Sequence, residues 1–377
     1  MKEAIPGAAG GRRRQIDGLR MIAMLGVFYV HFWNKSPTIE FARVSLFFVV
    51  SGFLITLILL RSRHEDFSLK VARNFYIRRA LRLMPPLILA LGAAAAFDMG
   101  GIRESLWWHM FQLTNLHVFL TQDWSPWVTA HLWSLNQLEQ FYLCWPLVIL
   151  FLSRRQAIGV TVFMLVLPIA LRSGSLGGDG WRGILVAFDP IAAGALLALT
   201  IQTGFMRSVL RIRWLAAAAL AVILLPLLLG SDYGGSAVYR VSIIPALVVL
   251  VGQAWEGFGG LAGVALASRA AGLVSQISYG AYVYHLPLWW IMGYKVDPEL
   301  FQPGPRTFLI MSAASLLLAA VSWLALERYI AAWKHRFPTR LCRGEPAERE
   351  EALDHARQQG AGAAAEREFG PPDNSRV

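Results

Sequence analysis

Leu19-Arg20-Met21-Ile22-Ala23-Met24-Leu25-Gly26-Val27-Phe28-Tyr29-Val30-His31-Phe32-Trp33 is the first long apolar run of the chain, and it carries two ionisable residues eleven positions apart. At about 100° and 1.5 Å per residue, eleven residues return to nearly the same helix face roughly 16 Å further along the axis. One face therefore carries a cation near its start and an imidazole about half a membrane thickness deeper. An ionisable residue inside a bilayer is costly and marks a functional site unless it is a hydrogen-bonded interior residue, the other reading of His31.

The rest of the chain repeats this apolar pattern. Of 377 residues, 56% are hydrophobic and 16% charged, which describes a polytopic membrane protein. The expected fold is all-α. Runs of about 16 to 22 residues give ten spans, at 16–34, 42–60, 83–98, 131–152, 156–171, 183–201, 214–230, 238–254, 275–293 and 306–326. With both termini assigned to the cytoplasm, 26 Lys and Arg lie in inside connections and eight outside, with Arg20 within the first span. Membrane orientation thus accounts for the net charge of +11, and nucleic acid is not an expected partner. Residues 12–33 have the basic start of a signal peptide, but His31, Trp33 and the lack of an A-x-A site make the segment a retained span. Three regions are expected: a flexible cytoplasmic stretch at 1–15, a transmembrane domain at 16–330, and a basic, mostly disordered cytoplasmic tail at 331–377. Cys144, inside a span, and Cys342, in the tail, cannot meet as a disulfide.

Two connections are long enough to carry function. The stretch 61–82 is basic with interleaved apolar residues, the pattern of a helix lying on the membrane surface. It ends in Arg78, Arg79 and Arg82, a guanidinium cluster suited to phosphate oxygens, although anchoring to lipid headgroups uses the same residues. The outer stretch 98–130 is aromatic and polar; Trp107, Trp108, Trp124 and Trp127 suit either an interfacial belt or stacking on sugar faces.

Three further spans hold polar side chains. The second contains Ser51-Gly52, whose small size allows close helix approach. The fourth runs His131-Leu132-Trp133-Ser134-Leu135-Asn136-Gln137-Leu138-Glu139-Gln140-Phe141-Tyr142, where Gln137, Glu139 and Gln140 need partners in the bundle. The ninth places Ser278, Tyr282 and His285 on one side, with Tyr279 beside them, so a second intramembrane His points to a lined internal cavity.

Together these segments resemble the acyltransferase-3 family of bacterial membrane O-acyltransferases. The matching points are Asp17-Gly18-Leu19-Arg20 with His31; Phe47-Phe48-x-x-Ser51-Gly52-Phe53-Leu54-Ile55; Arg78-Arg79-x-x-Arg82-x-x-Pro85; Trp133-Ser134-Leu135 with Gln140-Phe141-Tyr142 and Trp145-Pro146; Ser278-Tyr279 with Tyr282, His285 and Pro287; and Glu327-Arg328. Spread in order over 16–328 they are jointly specific, whereas any one alone is weak. The resemblance implies a multi-pass protein of the bacterial inner membrane, in the form without a fused soluble domain. It would move an acyl group, acetyl or another short acyl such as succinyl, from cytoplasmic acyl-CoA to a hydroxyl of a cell-surface or exopolysaccharide glycan. His31 is the implied base with Arg20 essential beside it, and Arg78, Arg79 and Arg82 are the implied donor-binding residues. Asp17, Ser51, Trp133, Glu139, Tyr142, Ser278, Tyr279, Tyr282 and His285 are expected to support the cavity. No metal is expected, membrane lipid is a partner by location, and a homodimer stays open.

Two positions depart from the family pattern. The first acid of its Trp-Ser-Leu-x-x-Glu-Glu motif is Leu138 here, with the second kept as Glu139, and an Arg two positions before Asp189 is replaced by Ala187. A buried ion pair lost as a unit costs less than one partner lost alone. The acceptor is also open to a small secondary metabolite. From another class, a transporter or flippase would use buried His, Glu and Asp189 as a proton relay, although no internal repeat is visible. A non-catalytic scaffold is a third reading, motivated by Leu138.

Overall fold

In a computed structural model, which describes residues 10–62, 69–172, 187–230 and 236–337, the chain is all-helical, with no strand among the described residues. The principal helices are α1 (Gly10–Phe32), α2 (Pro37–Ser62), α3 (Leu69–Ala96), α4 (Ile102–Met110), α5 (Thr114–Thr121), α6 (Trp127–Ala130), α7 (Leu132–Phe151), α8 (Arg154–Arg172), α9 (Asp189–Thr200), α10 (Gly204–Leu210), α11 (Trp214–Leu229), α12 (Ala237–Glu256), α13 (Gly260–Leu266), α14 (Arg269–Lys295) and α15 (Pro305–Ser322). A helix falls on the described part of each of the ten expected runs. By length and composition five described helices are apolar enough to cross a membrane, or seven if each of two bent pairs is one span. The helices α1 and α7, which hold Arg20, His31 and Glu139, are not among those five. The expected tail at 331–377 lies outside the described residues beyond Phe337, and the expected flexible stretch 1–15 lies outside them before Gly10.

The stretch 69–82 is not a separate surface helix. It is the first half of α3, continuous with the expected third span, and Val71, Ala72, Asn74 and Phe75 are buried against the protein. An apolar stripe on a basic helix looks the same whether it faces lipid or a neighbouring helix. The loop part of this connection, 63–68, lies outside the described residues.

The scaffold is drawn together by a glycine crossing. Among the described helices, α2 and α9 pack against each other most extensively. A Cβ on Gly52 would stand 2.0 Å from the Ile191 carbonyl oxygen, and one on Gly194 would stand 2.0 Å from that of Val49. Only the missing side chains let the backbones meet this closely. The expectation of close approach at Gly52 holds, while Ser51 faces the other way, into an internal chamber.

The outer connection folds over the mouth as α4 to α6, fastened to α7 by a buried polar network. His109 Nδ1 faces Thr114 Oγ1 at 2.9 Å and its Nε2 faces Thr129 Oγ1 at 3.1 Å. Asn136 Oδ1 accepts the Thr114 backbone N–H at 2.6 Å. Asn115 and Gln140 exchange two amide hydrogen bonds of 2.9 Å each, which supplies the bundle partner Gln140 requires. At the other end, helix α15 passes into a π-turn at Trp323–Glu327, which carries Glu327 inward to accept from Ser322 Oγ at 2.6 Å.

Candidate active site

Helix α1 forms one wall of a passage that runs along the bundle. Arg20, Ala23, Met24 and Val27 line its inner half and His31 its outer end, at the helical spacing read from the sequence. Four spaces follow one another, each sharing lining residues with the next. An outer cavity of about 580 Å³ holds His31. It narrows to a waist of about 30 Å³ between Arg43, Ser134 and Tyr282 on one side and Arg20, Leu138 and Tyr279 on the other. Beyond lies an inner chamber of about 280 Å³, and then a basic vestibule of about 630 Å³. The waist has room for about one water molecule.

The catalytic candidate stands in the outer cavity and is held by a second imidazole. His285 Nδ1 lies 2.5 Å from the Tyr282 carbonyl oxygen, and its Nε2 lies 3.0 Å from His31 Nδ1. A carbonyl only accepts, so Nδ1 of His285 carries the hydrogen and its Nε2 is an acceptor. That in turn puts the hydrogen of His31 on Nδ1 and leaves Nε2 with a lone pair. His131, which opens α7, packs against His285 with ring centroids 4.7 Å apart. Both His131 ring nitrogens are buried. Its backbone carbonyl accepts from the Tyr282 hydroxyl at 2.6 Å. No group of three metal-binding side chains with suitable geometry occurs among the described residues.

The outer cavity is rich in aromatic rings, Trp124, Trp127, Trp133, Trp289, Tyr294 and Phe301, and Lys35, Glu40 and Arg43 bring charge to it. Of the four tryptophans in the outer stretch, Trp124 and Trp127 therefore face the cavity. Trp107 is exposed and stacks on Phe111, and Trp108 packs against His117.

At the other end, Arg20, Arg79 and Arg82 converge on the inner chamber with Ser51, Glu139, Tyr142, Ser278 and Tyr279. The guanidinium of Arg79 lies over the Tyr142 ring, and its Nε is 3.9 Å from Glu139 Oε2. Arg20 Nε, Arg79 Nε, Glu139 Oε1 and the Tyr279 hydroxyl are buried without hydrogen-bond partners. Arg78 lies outside this chamber but shares the vestibule with Arg79 and Arg82. It lines the vestibule and donates to the backbone carbonyls of Lys334 and Phe337, tying α3 to the end of the last helix. Asp17 does not line the passage; it accepts from Ser275 Oγ at 2.8 Å and ties α1 to α14. Leu138 faces both waist and inner chamber, and Glu139 beside it reaches the chamber as well, so an acid is present there in spite of the departure.

Sequence reasoning missed His131, Arg43 and Glu40. Arg43 lies on the second turn of α2, in line with Phe47 and Ser51 at spacings of four, all three facing the passage. That spacing was the available signal. His131 had one too, as the residue that opens the Trp-Ser-Leu segment.

Residues 13–324 match the family model described as an acyltransferase domain. Among curated proteins, the chain is 30% identical over 209 residues to one of Staphylococcus aureus (strain COL) named "Putative O-acetyltransferase", covering 48% of this chain and 34% of that protein. It is 31% identical over 190 residues to "Putative peptidoglycan O-acetyltransferase YrhL" of Bacillus subtilis (strain 168), covering 44% and 29%. It is 32% identical over 156 residues to "O-acetyltransferase OatA" of Staphylococcus aureus (strain NCTC 8325 / PS 47), covering 37% and 25%. The chain spans about a third or less of the length of these relatives. No solved structure matches.

Proposed function

From the premise that the chain belongs to the acyltransferase domain family over residues 13–324, we propose that it is a membrane O-acyltransferase that moves a short acyl group, acetyl in the simplest case, from acyl-CoA to a carbohydrate hydroxyl. The observation that carries this reading is the passage itself, with arginines at one end, a histidine among aromatic rings at the other, and a narrow waist between them. The names of the relatives support O-acetylation.

The basic end is the cytoplasmic one in this reading, since Arg61, Arg78 and Lys334 line its vestibule and Lys and Arg favour that side. The ten-span topology with both termini inside belongs to the same proposal, as does an inner-membrane location. Arg78, Arg79 and Arg82, which line the vestibule, would hold the phosphates of the donor, for which guanidinium forks are suited. The pantetheine arm would lie along the inner chamber with its thioester at the waist. An acceptor sugar would stack on Trp124, Trp127, Trp133 or Trp289 in the outer cavity, whose flat rings match the apolar faces of pyranoses.

His31 Nε2 would then take the acceptor proton as the hydroxyl oxygen bonds to the thioester carbon. Collapse of the tetrahedral intermediate breaks the C–S bond, and the departing thiolate takes the proton back from the imidazolium. His285 holds the His31 ring and its tautomer, the task of the third member in other base-and-orienter arrangements. No covalent acyl-enzyme is needed.

The test is mass spectrometry of surface glycans and extractable metabolites from cells expressing the chain or its His31→Ala variant. An acyl increment present with the first and absent with the second is expected. The end-to-end passage also favours a second reading, a transporter; acceptor movement across the membrane without acyl-CoA-dependent modification would select it.

A further inference from the structure

Arg43 is almost enclosed, with 5% of its side chain exposed, and it stands where the outer cavity meets the waist. Among the described residues four line both spaces: Arg43, Val44, Ser134 and Tyr282. Val44 has no polar side chain. The Tyr282 hydroxyl donates to the His131 carbonyl, so in its 2.8 Å contact with Ser134 the serine is the donor. Both hydroxyl hydrogens are therefore spent. Arg43 bonds Glu40 through Nη2 at 2.5 Å and shares a side-chain hydrogen bond with the Tyr282 hydroxyl, while its Nε is buried with no partner. With five N–H hydrogens and a permanent charge, it is the group at this neck with donors left over.

We propose that Arg43 stabilises the negative charge that develops on the thioester carbonyl oxygen during acyl transfer, with Glu40 as the positioning residue that fixes its guanidinium. The inference rests on the acyl-transfer reading above. As the acceptor oxygen bonds to the carbonyl carbon and its proton passes to His31, the carbonyl π electrons move onto oxygen, and Arg43 donates to that oxygen. The C=O bond re-forms as the C–S bond breaks and the sulfur leaves as thiolate. A fixed cation in a dry neck gains most from the charge of the transition state, and so accelerates the chemical step more than it tightens binding.

The experiment uses the full chain in detergent micelles with acetyl-CoA as donor and chitotetraose or water alone as probe acceptors, reading free thiol. For Arg43→Met, kcat is expected to fall about a hundredfold or more, with KM for acetyl-CoA nearly unchanged. Arg43→Ala regains rate when guanidinium is added to the buffer, which a packing role does not produce. Glu40→Gln loses kcat to a smaller degree, and Arg43→Lys, which keeps the charge but not the fork, falls between. Should Arg43→Met fail to fold, the kcat against KM split in Arg43→Lys decides. An unchanged kcat, or a loss carried by KM alone, overturns the role of Arg43 while an inactive His31→Ala leaves acyl transfer standing. Thiol release that does not depend on His31 overturns both.

Discussion

The α2–α9 crossing allows a sharp test of how the site is held. In Gly194→Ala the new Cβ would lie 2.0 Å from the Val49 carbonyl oxygen, 2.8 Å from its carbon and 2.9 Å from Phe53 N. Real Cβ contacts do not fall below 3.0 Å, so the backbones must part by at least about 1 Å. All three obstacles are main chain and cannot rotate away. Overpacking of this kind costs typically 1–3 kcal/mol, and a rigid obstacle puts the variant at the upper end, about 3 kcal/mol. A radial gap of about 1 Å also forfeits up to half the dispersion energy of the contacts it opens. Helix α2 carries Arg43, Phe47 and Ser51 along the passage, so the displacement reaches the site, where about 1 Å of misplacement can cost a hundredfold in rate. Gly52→Ala meets the Ile191 carbonyl in the same way, and the double variant should cost less than the sum because both substitutions force the same separation. The assay is denaturant or thermal unfolding in micelles beside thiol release. Gly92→Ala and Gly159→Ala are the controls: their Cβ atoms meet nothing within 4 Å, and they should be neutral or stabilising by up to about 1 kcal/mol. A Gly194→Ala protein that unfolds with the wild type, or controls that lose as much, would refute the reasoning.

Three further outcomes are expected. His285→Leu removes the acceptor that orients His31, and kcat should fall at least tenfold while the acetyl-CoA KM stays put; steady-state kinetics checks the split. In the proposed donor site Arg79→Ala and Arg82→Ala would each remove a charged phosphate donor worth about 1.5–3 kcal/mol, so the apparent Kd for acetyl-CoA by calorimetry should rise about tenfold to a hundredfold. Burial, and then neighbouring His117, lowers the His109 pKa to about 4. Between its unfolded value near 6.5 and about 4 the unfolded chain binds a proton that the folded protein refuses, so stability falls by about 3 kcal/mol as pH drops through that window. Unfolding of His109→Gln over the same range should lack that part of the slope.

The sequence made some parts of this molecule legible and hid others, for physical reasons. The face joining Arg20 to His31 could be read because a helix keeps its register over eleven residues whatever surrounds it. The helical class followed from hydropathy, since a backbone in lipid must satisfy its own hydrogen bonds. The amphipathic stretch before Arg82 misled, because a stripe of Val71 and Phe75 does not say whether lipid or protein covers it. Arg78, Arg79 and Arg82 line one vestibule, and Arg79 and Arg82 reach the inner chamber as well. Spacing defines neighbours on a helix but not which of two adjacent faces the bundle encloses. The clamp of Asn115, Gln140 and His109 depends on a chain reversal between α5 and α7, which local pattern does not encode.

The waist has a meaning apart from chemistry. A protein that joins two compartments by one passage is also a breach in the insulation that stores a cell's electrochemical gradient. Here the breach is closed twice. A neck of about 30 Å³ cannot hold a continuous file of water for protons to follow, and Arg20 and Arg43, one toward either end, present fixed positive charge to any cation that enters. On the proposed reaction, the constriction at which the two substrates would meet is also the one that would keep the membrane charged while they react.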